Sequence, residues 1–381
     1  MRKIITFGSL FLLMNHILET IFAQFDTGAF FRRARPLGQG HINDTFLVEV
    51  HNEHHAGFVL QRINHFVFRD IPALTENKVR ASQHLLGRLA AEGVVDIKRR
   101  VLQFLPATTG LYYHRDVQGN YWNLSRFIPD AMAYEKVESP SIAFEGGRAI
   151  GAFQRRLAGL APESLHDTIP HFHDVAHRLD RFHKVAEADV LLRANSTRLE
   201  IEAILAREEE MRTFMALVFS GAIPRRVTHN DTKISNVLFS REGSALCMID
   251  LDTVMPGIAL SDFGDAIRSG ANPAREDEPD LGKVDMDIGM FTAFAEGYLS
   301  EARSFLTSSE LEYLAFGAKL ITYEQFLRFL MDYLEGDVYY QKIQHEEHNL
   351  QRARAQLKLL ESMEAQFGQM CEVVHALATT G

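Results

Sequence analysis

The chain has 381 residues, a formal net charge of −10, and 46% hydrophobic against 24% charged residues. That balance excludes a disordered chain, and the acidic excess supplies no field to draw a nucleic-acid backbone. Two cysteines, Cys247 and Cys371, make neither a disulfide framework nor a zinc site, so a reducing, cytoplasmic setting is expected.

In chain order, Arg2 and Lys3 precede the apolar run Ile4 to Leu13, and Ala23 stands where a leader peptide would be cleaved. Asn15, His16 and Glu19 interrupt that run, while Ile17, Leu18, Ile21 and Phe22 recur at helical spacing. Residues 1–25 are therefore expected to be an amphipathic helix packed on a domain, with a leader as the alternative. No other segment approaches the length of a membrane span, and no membrane partner is expected.

Residues 26–129 read as a β-rich unit. Phe46 to Val50 and Gly57 to Gln61 are short β-type runs separated by the polar stretch His51 to Ala56, as in a hairpin. A helix is expected over Leu74 to Ala91, then strands at Arg100 to Leu105, Leu111 to Arg115 and Tyr121 to Ile128. Pro129 and Asp130 punctuate the chain, and residues 130–381 are dominated by helical patterning. Helices are expected over Ser141 to Leu160, Ser196 to Phe219, Lys283 to Phe305, Ser309 to Tyr333 and Val338 to Phe367. The fold class is α+β, with a small β-rich N-lobe, a short hinge and a larger helical C-lobe.

The most informative stretch is Val227-Thr228-His229-Asn230-Asp231-Thr232-Lys233-Ile234-Ser235-Asn236-Val237-Leu238, followed by the apolar run Ala245 to Ile249 and by Asp250-Leu251-Asp252. Phosphoryl transfer from ATP needs a carboxylate at the acceptor hydroxyl, and a second carboxylate with a neutral oxygen to hold Mg2+ on the phosphates. Asp231, Asn236 and Asp250 have the order and spacing of a kinase catalytic base, its asparagine and its metal-binding aspartate. A polar turn between buried strands would explain one such residue; it does not explain the whole set in register. Lys233, two positions after the candidate base, is placed to neutralise the transferring phosphoryl group.

On these residues the chain resembles the aminoglycoside phosphotransferase and choline kinase group, and within it the N-acetylhexosamine 1-kinases. The motifs are Gly38-Gln39-Gly40-His41-Ile42-Asn43-Asp44-Thr45, Leu60-Gln61-Arg62-Ile63-Asn64, His229 to Leu238, Asp250-Leu251-Asp252-Thr253-Val254-Met255-Pro256-Gly257, Asp262-Phe263-Gly264-Asp265 and Arg328-Phe329-Leu330. The resemblance spans about Pro36 to Tyr340 and implies a bilobal protein-kinase-like fold that binds ATP and Mg2+. It implies transfer to the anomeric hydroxyl of N-acetylglucosamine or N-acetylgalactosamine.

The resemblance assigns Asp231 and Lys233 to catalysis and Asn236 and Asp250 to the metal. Gly38, Gly40, Gln61, Phe127 and Ile128 fall to the nucleotide, and His41, Asn43, Asp231 and Arg328 to the sugar. Gln61 stands where a kinase third strand carries its phosphate-binding lysine, so the source of that charge is open. Asp262 opens a motif like the kinase magnesium motif but follows Asp250, so a helix-capping and loop-bracing role is expected. Arg328 and Asp332 share a helix face, where a surface ion pair is the ordinary alternative to a sugar contact. His171, His173 and His177, like His51, His54 and His55, lack a matched ligand pattern and are expected to be exposed. Other open readings are a kinase of homoserine, choline or an aminoglycoside, and a pseudokinase. A monomer or weak homodimer is expected.

Overall fold

The structure, a computed structural model, describes residues 7–38, 42–51, 56–340 and 343–379. It divides into two compact units, Met1–Ala131 and Met132–Gly381.

The first unit opens with helix α1 (Phe7–Phe22) and a five-stranded antiparallel sheet. Its strands are β1 (Phe31–Pro36), β2 (Asp44–Val50), β3 (Phe58–Ile63), β4 (His114–Arg115) and β5 (Tyr121–Arg126), in the order β1-β2-β3-β5-β4. Strand alternation puts Phe58 and Leu60 on one face, where Leu124 and Val48 join them. Leu18, Ile21 and Phe22 of α1 close this core, so α1 covers one side of the sheet. Asn15 fixes the helix by accepting a hydrogen bond from the Ala34 amide on β1 (2.7 Å).

Helix α2 (Ile71–Ala91) runs between β3 and β4. The Asp70 side chain caps it at the Ala73 amide (3.0 Å), with proline in the first turn. The strand expected over residues 100–105 is instead a 3-10 turn (Ile97–Arg99) and a single bridge, Phe104 to Ser125. Pro106 has no amide to continue a ladder there.

The short strand β6 (Ala131–Met132) stands at the division between the units. The second unit contains α3 (Pro140–Leu157), α4 (Val175–Ala188), α5 (Arg198–Leu205) and α6 (Glu208–Phe219). Strands β7 (Arg226–Thr228), β8 (Val237–Ser240), β9 (Ala245–Met248) and β10 (Met255–Gly257) follow. Then come α7 (Ala259–Gly270), α8 (Ile288–Ala302), α9 (Ser308–Glu312), α10 (Leu314–Glu335), α11 (His348–Ala365) and α12 (Phe367–Thr379). The single helix expected over 196–219 breaks at Arg207, whose guanidinium leaves the helix axis to hold Glu364 on α11 (2.7 Å from both Nε and Nη2).

Helix α10 is apolar nearly all round and is the buried centre of this unit. It packs along α7 at a crossing where side chains cannot fit: a Cβ on Gly264 would lie 2.1 Å from the Gly317 carbonyl oxygen. The two helices thus approach backbone to backbone, and this fixes α7, with its aspartates, against α10, with Glu324 and Arg328. Among the described residues no helix is long and apolar enough to cross a membrane.

Candidate active site

Two small antiparallel ladders in the second unit hold the candidate catalytic loop. β7 pairs with β10, Thr228 opposite Met255, and β8 pairs with β9, Val237 opposite Met248. Residues 229–236 run between β7 and β8 and end in a 3-10 turn, Ile234–Asn236. The Ile249 amide donates to the Asn236 carbonyl (2.8 Å), so Asp250 leaves β9 directly beside Asn236.

The loop is pinned at several residues. Asp262, in the first turn of α7, accepts from the amides of His229 (3.0 Å) and Asn230 (2.7 Å) and from Gln154 Nε2 (2.8 Å). The Thr232 hydroxyl donates to the Asp262 carbonyl. Asp262 therefore braces the loop, but the α7 cap position belongs to Ile258. Burial pushes the Asp262 carboxyl up; its three donors, the His229 and Asn230 amides and Gln154, are what make a buried carboxyl tolerable.

Asn230 has φ +65°, in the left-handed region that asparagine tolerates best among ordinary residues. Its side chain accepts from the Thr228 hydroxyl (2.9 Å) and donates to the Thr253 carbonyl (2.9 Å). Gly257 leaves room for this turn: a Cβ there would meet Thr228 Oγ1 at 2.3 Å and Asn230 Oδ1 at 2.6 Å. His229 is fully buried and ties the two halves of the site together. Its Nδ1 accepts from the Asp231 amide (3.3 Å), and its Nε2 donates to the Ile249 carbonyl (2.8 Å). These partners assign the neutral tautomer protonated at Nε2.

This scaffold presents Asp231, Lys233, Asn236 and Asp250 together. Lys233 Nζ (3.1 Å) and Asn236 Nδ2 (3.0 Å) both donate to Asp231 Oδ2, and Asn236 Nδ2 also reaches the Asp231 carbonyl (2.9 Å). Oδ1 of Asp231 takes no part in these side-chain hydrogen bonds and can accept from a further donor. Burial alone would raise the Asp231 carboxyl; the Lys233 charge and the two hydrogen bonds outweigh it and hold the group below the ordinary aspartate value. The Lys233 ammonium is pushed up by Asp231, against its own burial, with Asp250 and Asp265 adding to the effect.

Asp250 is exposed and left-handed (φ +59°), a backbone state that an aspartate at a strand end adopts only under local constraint. Asn236 turns its amide nitrogen to Asp231, which leaves its Oδ1 out of those hydrogen bonds. An amide oxygen and an exposed carboxylate are the sparse, hard oxygen set that suits Mg2+ shared with phosphates. No group of three His, Cys, Asp or Glu suited to a metal occurs among the described residues.

Arg328 on α10 is part-buried and does not pair with Asp332. It donates to Gln325 (3.2 Å) and lies over the rings of Phe172 (5.8 Å), Tyr339 (5.7 Å) and Tyr340 (5.6 Å). Asp332 instead accepts from the amides of Tyr339 (2.8 Å) and Tyr340 (2.9 Å), which holds those two rings beside Arg328.

Sequence reasoning missed the adjoining cluster. Exposed placement was expected for His173, and it is wrong: only 14% of its side chain is exposed. Its Nδ1 meets Glu324 at 2.8 Å and its Nε2 meets the Asn230 carbonyl at 3.3 Å. His171 and His177 stack on each other at the surface (ring centroids 4.0 Å), as expected. His51 is exposed, and His54 and His55 lie outside the described residues.

The remaining assignments fall in the first unit. Gly38 has φ +74°, open to glycine, while Gly40 and His41 lie outside the described residues. Asn43 Oδ1 accepts from the Asn64 amide (2.9 Å). The Phe127 amide donates to the Gly57 carbonyl (3.1 Å), and Ile128 is buried. Gln61 Oε1 accepts from Asn123 Nδ2 on β5 and from Lys78 Nζ on α2, both at 3.3 Å. Lys78 was legible only as a charge on the apolar stripe Leu74, Lys78, Ala81, Leu85.

A profile of the phosphotransferase enzyme family matches residues 33–299, more than half of the chain, and the chain belongs to that family. Similar solved structures include the microcompartment-associated aminopropanol kinase (15% identity, TM-score 0.61, 93% of this chain and 98% of that one). An aminoglycoside phosphotransferase from Alicyclobacillus acidocaldarius is similar at 11% identity and TM-score 0.59, over 94% of this chain and 96% of that one. Spectinomycin phosphotransferase, crystallised with ADP and spectinomycin, is similar at 12% identity and TM-score 0.52, over 95% and 98%. The fold is thus the protein-kinase-like one of the aminoglycoside phosphotransferases, and the class is that of small-molecule phosphotransferases.

Proposed function

We propose that the protein is an ATP- and Mg2+-dependent kinase that phosphorylates the anomeric hydroxyl of N-acetylhexosamines. The observation that carries the kinase reading is the convergence of Lys233 and Asn236 on one oxygen of Asp231, with Asp250 beside Asn236 at the end of the β8–β9 ladder. Spectinomycin phosphotransferase holds ADP on the same fold, which supports a nucleotide substrate here.

In this reading Asp231 Oδ1 accepts the hydrogen bond of the acceptor hydroxyl and orients it. A carboxylate held below its ordinary value is a weak base, and weak suffices: the transferring phosphoryl group is loosely bonded in the transition state, so the proton leaves late. An anomeric hydroxyl, more acidic than an ordinary alcohol, asks least of such a base. Lys233 keeps its proton and its charge at neutral pH, and that charge offsets the one developing on the phosphoryl oxygens. Magnesium, held through Asn236 Oδ1 and the Asp250 carboxylate, would supply further neutralisation at the phosphates.

The sugar reading rests on Arg328 and on the motif resemblance. A guanidinium steadied by Gln325 and by aromatic faces keeps donors for an acetamido carbonyl. A site built to pair that group leaves donors unpaired with a plain hexose and so discriminates against it. The test is an ATP-consumption screen over free sugars, amino alcohols and aminoglycosides, with phosphorus NMR of the product. An acid-labile 1-phosphate of a 2-acetamido sugar is expected. A stable 6-phosphate, or activity confined to an amino alcohol, rejects the sugar assignment and leaves the kinase standing.

A further inference from the structure

The peptide group that joins Asn230 to Asp231 sets the direction in which the Asp231 side chain leaves the loop, because its plane fixes where the next Cα lies. Two histidines hold that group, one at each end. Its N–H donates to His229 Nδ1 (3.3 Å), and its carbonyl meets His173 Nε2, also at 3.3 Å. The two rings differ in what they face. His229 has one donor and one acceptor as partners, which a neutral ring satisfies. His173 has two acceptors, the Glu324 carboxylate at Nδ1 (2.8 Å) and the Asn230 carbonyl at Nε2. A neutral ring would set a lone pair against one of these oxygens; the imidazolium donates to both.

The surroundings sustain that charge. Glu324 turns one carboxylate oxygen to His173, and Arg178 Nε lies 2.9 Å from the other, which keeps the carboxylate ionised. The charged groups that face His173 are Glu324 and Arg328 of α10 and Arg178 of α4. The catalytic loop faces it with the neutral Asn230 carbonyl, and its own segment with the Phe172 ring (centroids 4.5 Å). Asp174, next in the chain, is taken up by the His171 ring and the His177 amide. Burial works against the charge on His173, as do Arg328 and Arg178, but Glu324 outweighs them and the ring's value rises above 6.5. Arg178 also donates to the Phe172 carbonyl, which secures the segment that carries the ring. Glu324 lies one turn before Arg328 on α10. The chain of contacts Glu324–His173–Asn230 thus runs from the helix of the proposed acceptor contact to the residue before the base.

We propose that His173 is a positioning residue: as an imidazolium it bridges α10 to the catalytic loop and fixes the peptide group that aims Asp231 at the acceptor hydroxyl. Misplacing a reacting group by about 1 Å costs up to about 100-fold in rate. Loss of the His173 proton removes one of the two contacts that hold this peptide in place. The inference rests on the kinase reading above, with Asp231 as its base, and not on the choice of sugar.

The test combines nitrogen NMR of the histidine rings in the full chain with steady-state kinetics of the wild type and His173→Gln from pH 6 to 9. The substrates are MgATP and N-acetylglucosamine, or whichever acceptor the screen above returns. In the wild type both ring nitrogens of His173 should carry a proton at pH 6.5, and kcat should fall as pH rises through the titration of that ring. His173→Gln should lower kcat about 10- to 100-fold at pH 6.5. It should leave the KM for MgATP within about twofold of wild type and lose the alkaline limb that follows the ring. If His173→Gln fails to fold, the wild type decides: a kcat that tracks the ring's titration supports the inference, and a kcat indifferent to it overturns the inference. A singly protonated ring at pH 6.5, unchanged kcat in His173→Gln, or the same alkaline limb in both proteins overturns the inference and leaves the kinase standing. A wild type that turns over ATP with no acceptor overturns the kinase reading and this inference with it.

Discussion

Glu324 offers a perturbation whose size follows from its surroundings. Its side chain is 2% exposed, 2.8 Å from His173 Nδ1 and 2.9 Å from Arg178 Nε. The Arg178 contact is one of charge, since that N–H is not aimed at the carboxylate. Burial works to raise the Glu324 carboxyl, but His173 and Arg178 outweigh it and bring it from 4.5 to about 2. A carboxyl that ionises lower in the fold stabilises it above the unfolded value, here by about 3 kcal/mol above pH 4.5. That stability is lost as pH falls toward 2, with about 1 kcal/mol left at pH 3. His173 runs the other way. Burial opposes its charge, Glu324 outweighs burial, and its value rises above 6.5. Its contribution is therefore complete below pH 6.5 and fades as pH climbs through the raised value. Urea unfolding of wild type and Glu324→Gln from pH 3 to 8 isolates this pair from the other carboxylates. The gap should be widest, about 3 kcal/mol or more, between pH 5 and 6.5, and should shrink on both sides. A gap independent of pH would refute the ionised pairing.

Two further substitutions probe the loop. Asp231→Asn should lower kcat by roughly 10² to 10⁴ while the melting temperature stays near wild type, because the amide oxygen still accepts from Lys233 and Asn236; near-normal turnover would remove Asp231 from the chemistry. Gly257→Ala should push a methyl into the Thr228–Asn230 hydrogen bond, costing about 1 to 3 kcal/mol in a thermal melt and at least about tenfold in ATP turnover. Unchanged stability and turnover would show that the loop does not depend on that contact.

How far the sequence revealed all this depends on the kind of residue. Asp231, Asn236 and Asp250 were legible because their chemistry demands a fixed order along one short stretch, and the β8–β9 ladder brings the stretch together in the way that order implies. The β2–β3 hairpin and α2 were legible because local periodicity sets them, to within about three residues at the ends. Helix α4 was missed: it buries only Val175, Leu179 and Phe182, too narrow a stripe to stand out among its charges. The histidine cluster misled for a different reason. His173 and its neighbours His171 and His177 are alike in sequence, and only the partner 151 positions away, Glu324, separates the buried one from the exposed pair.

The same distinction explains why the polar residues of α10 were hard to read. In a helix buried on all sides, period carries no information about which polar group faces a site and which is merely satisfied. Asp332 and Arg328 are one turn apart, yet the aspartate serves the backbone of Tyr339 and Tyr340 while the arginine faces their rings. Tyr339 and Tyr340 are not placed by the helix itself; both come from the turn that follows. The ion pair expected from spacing would have been worth a few tenths of a kcal/mol. Two amide-to-carboxylate hydrogen bonds are worth more and also fix the rings. Spacing finds the interactions a helix can make with itself. A site is made from those it makes with everything else.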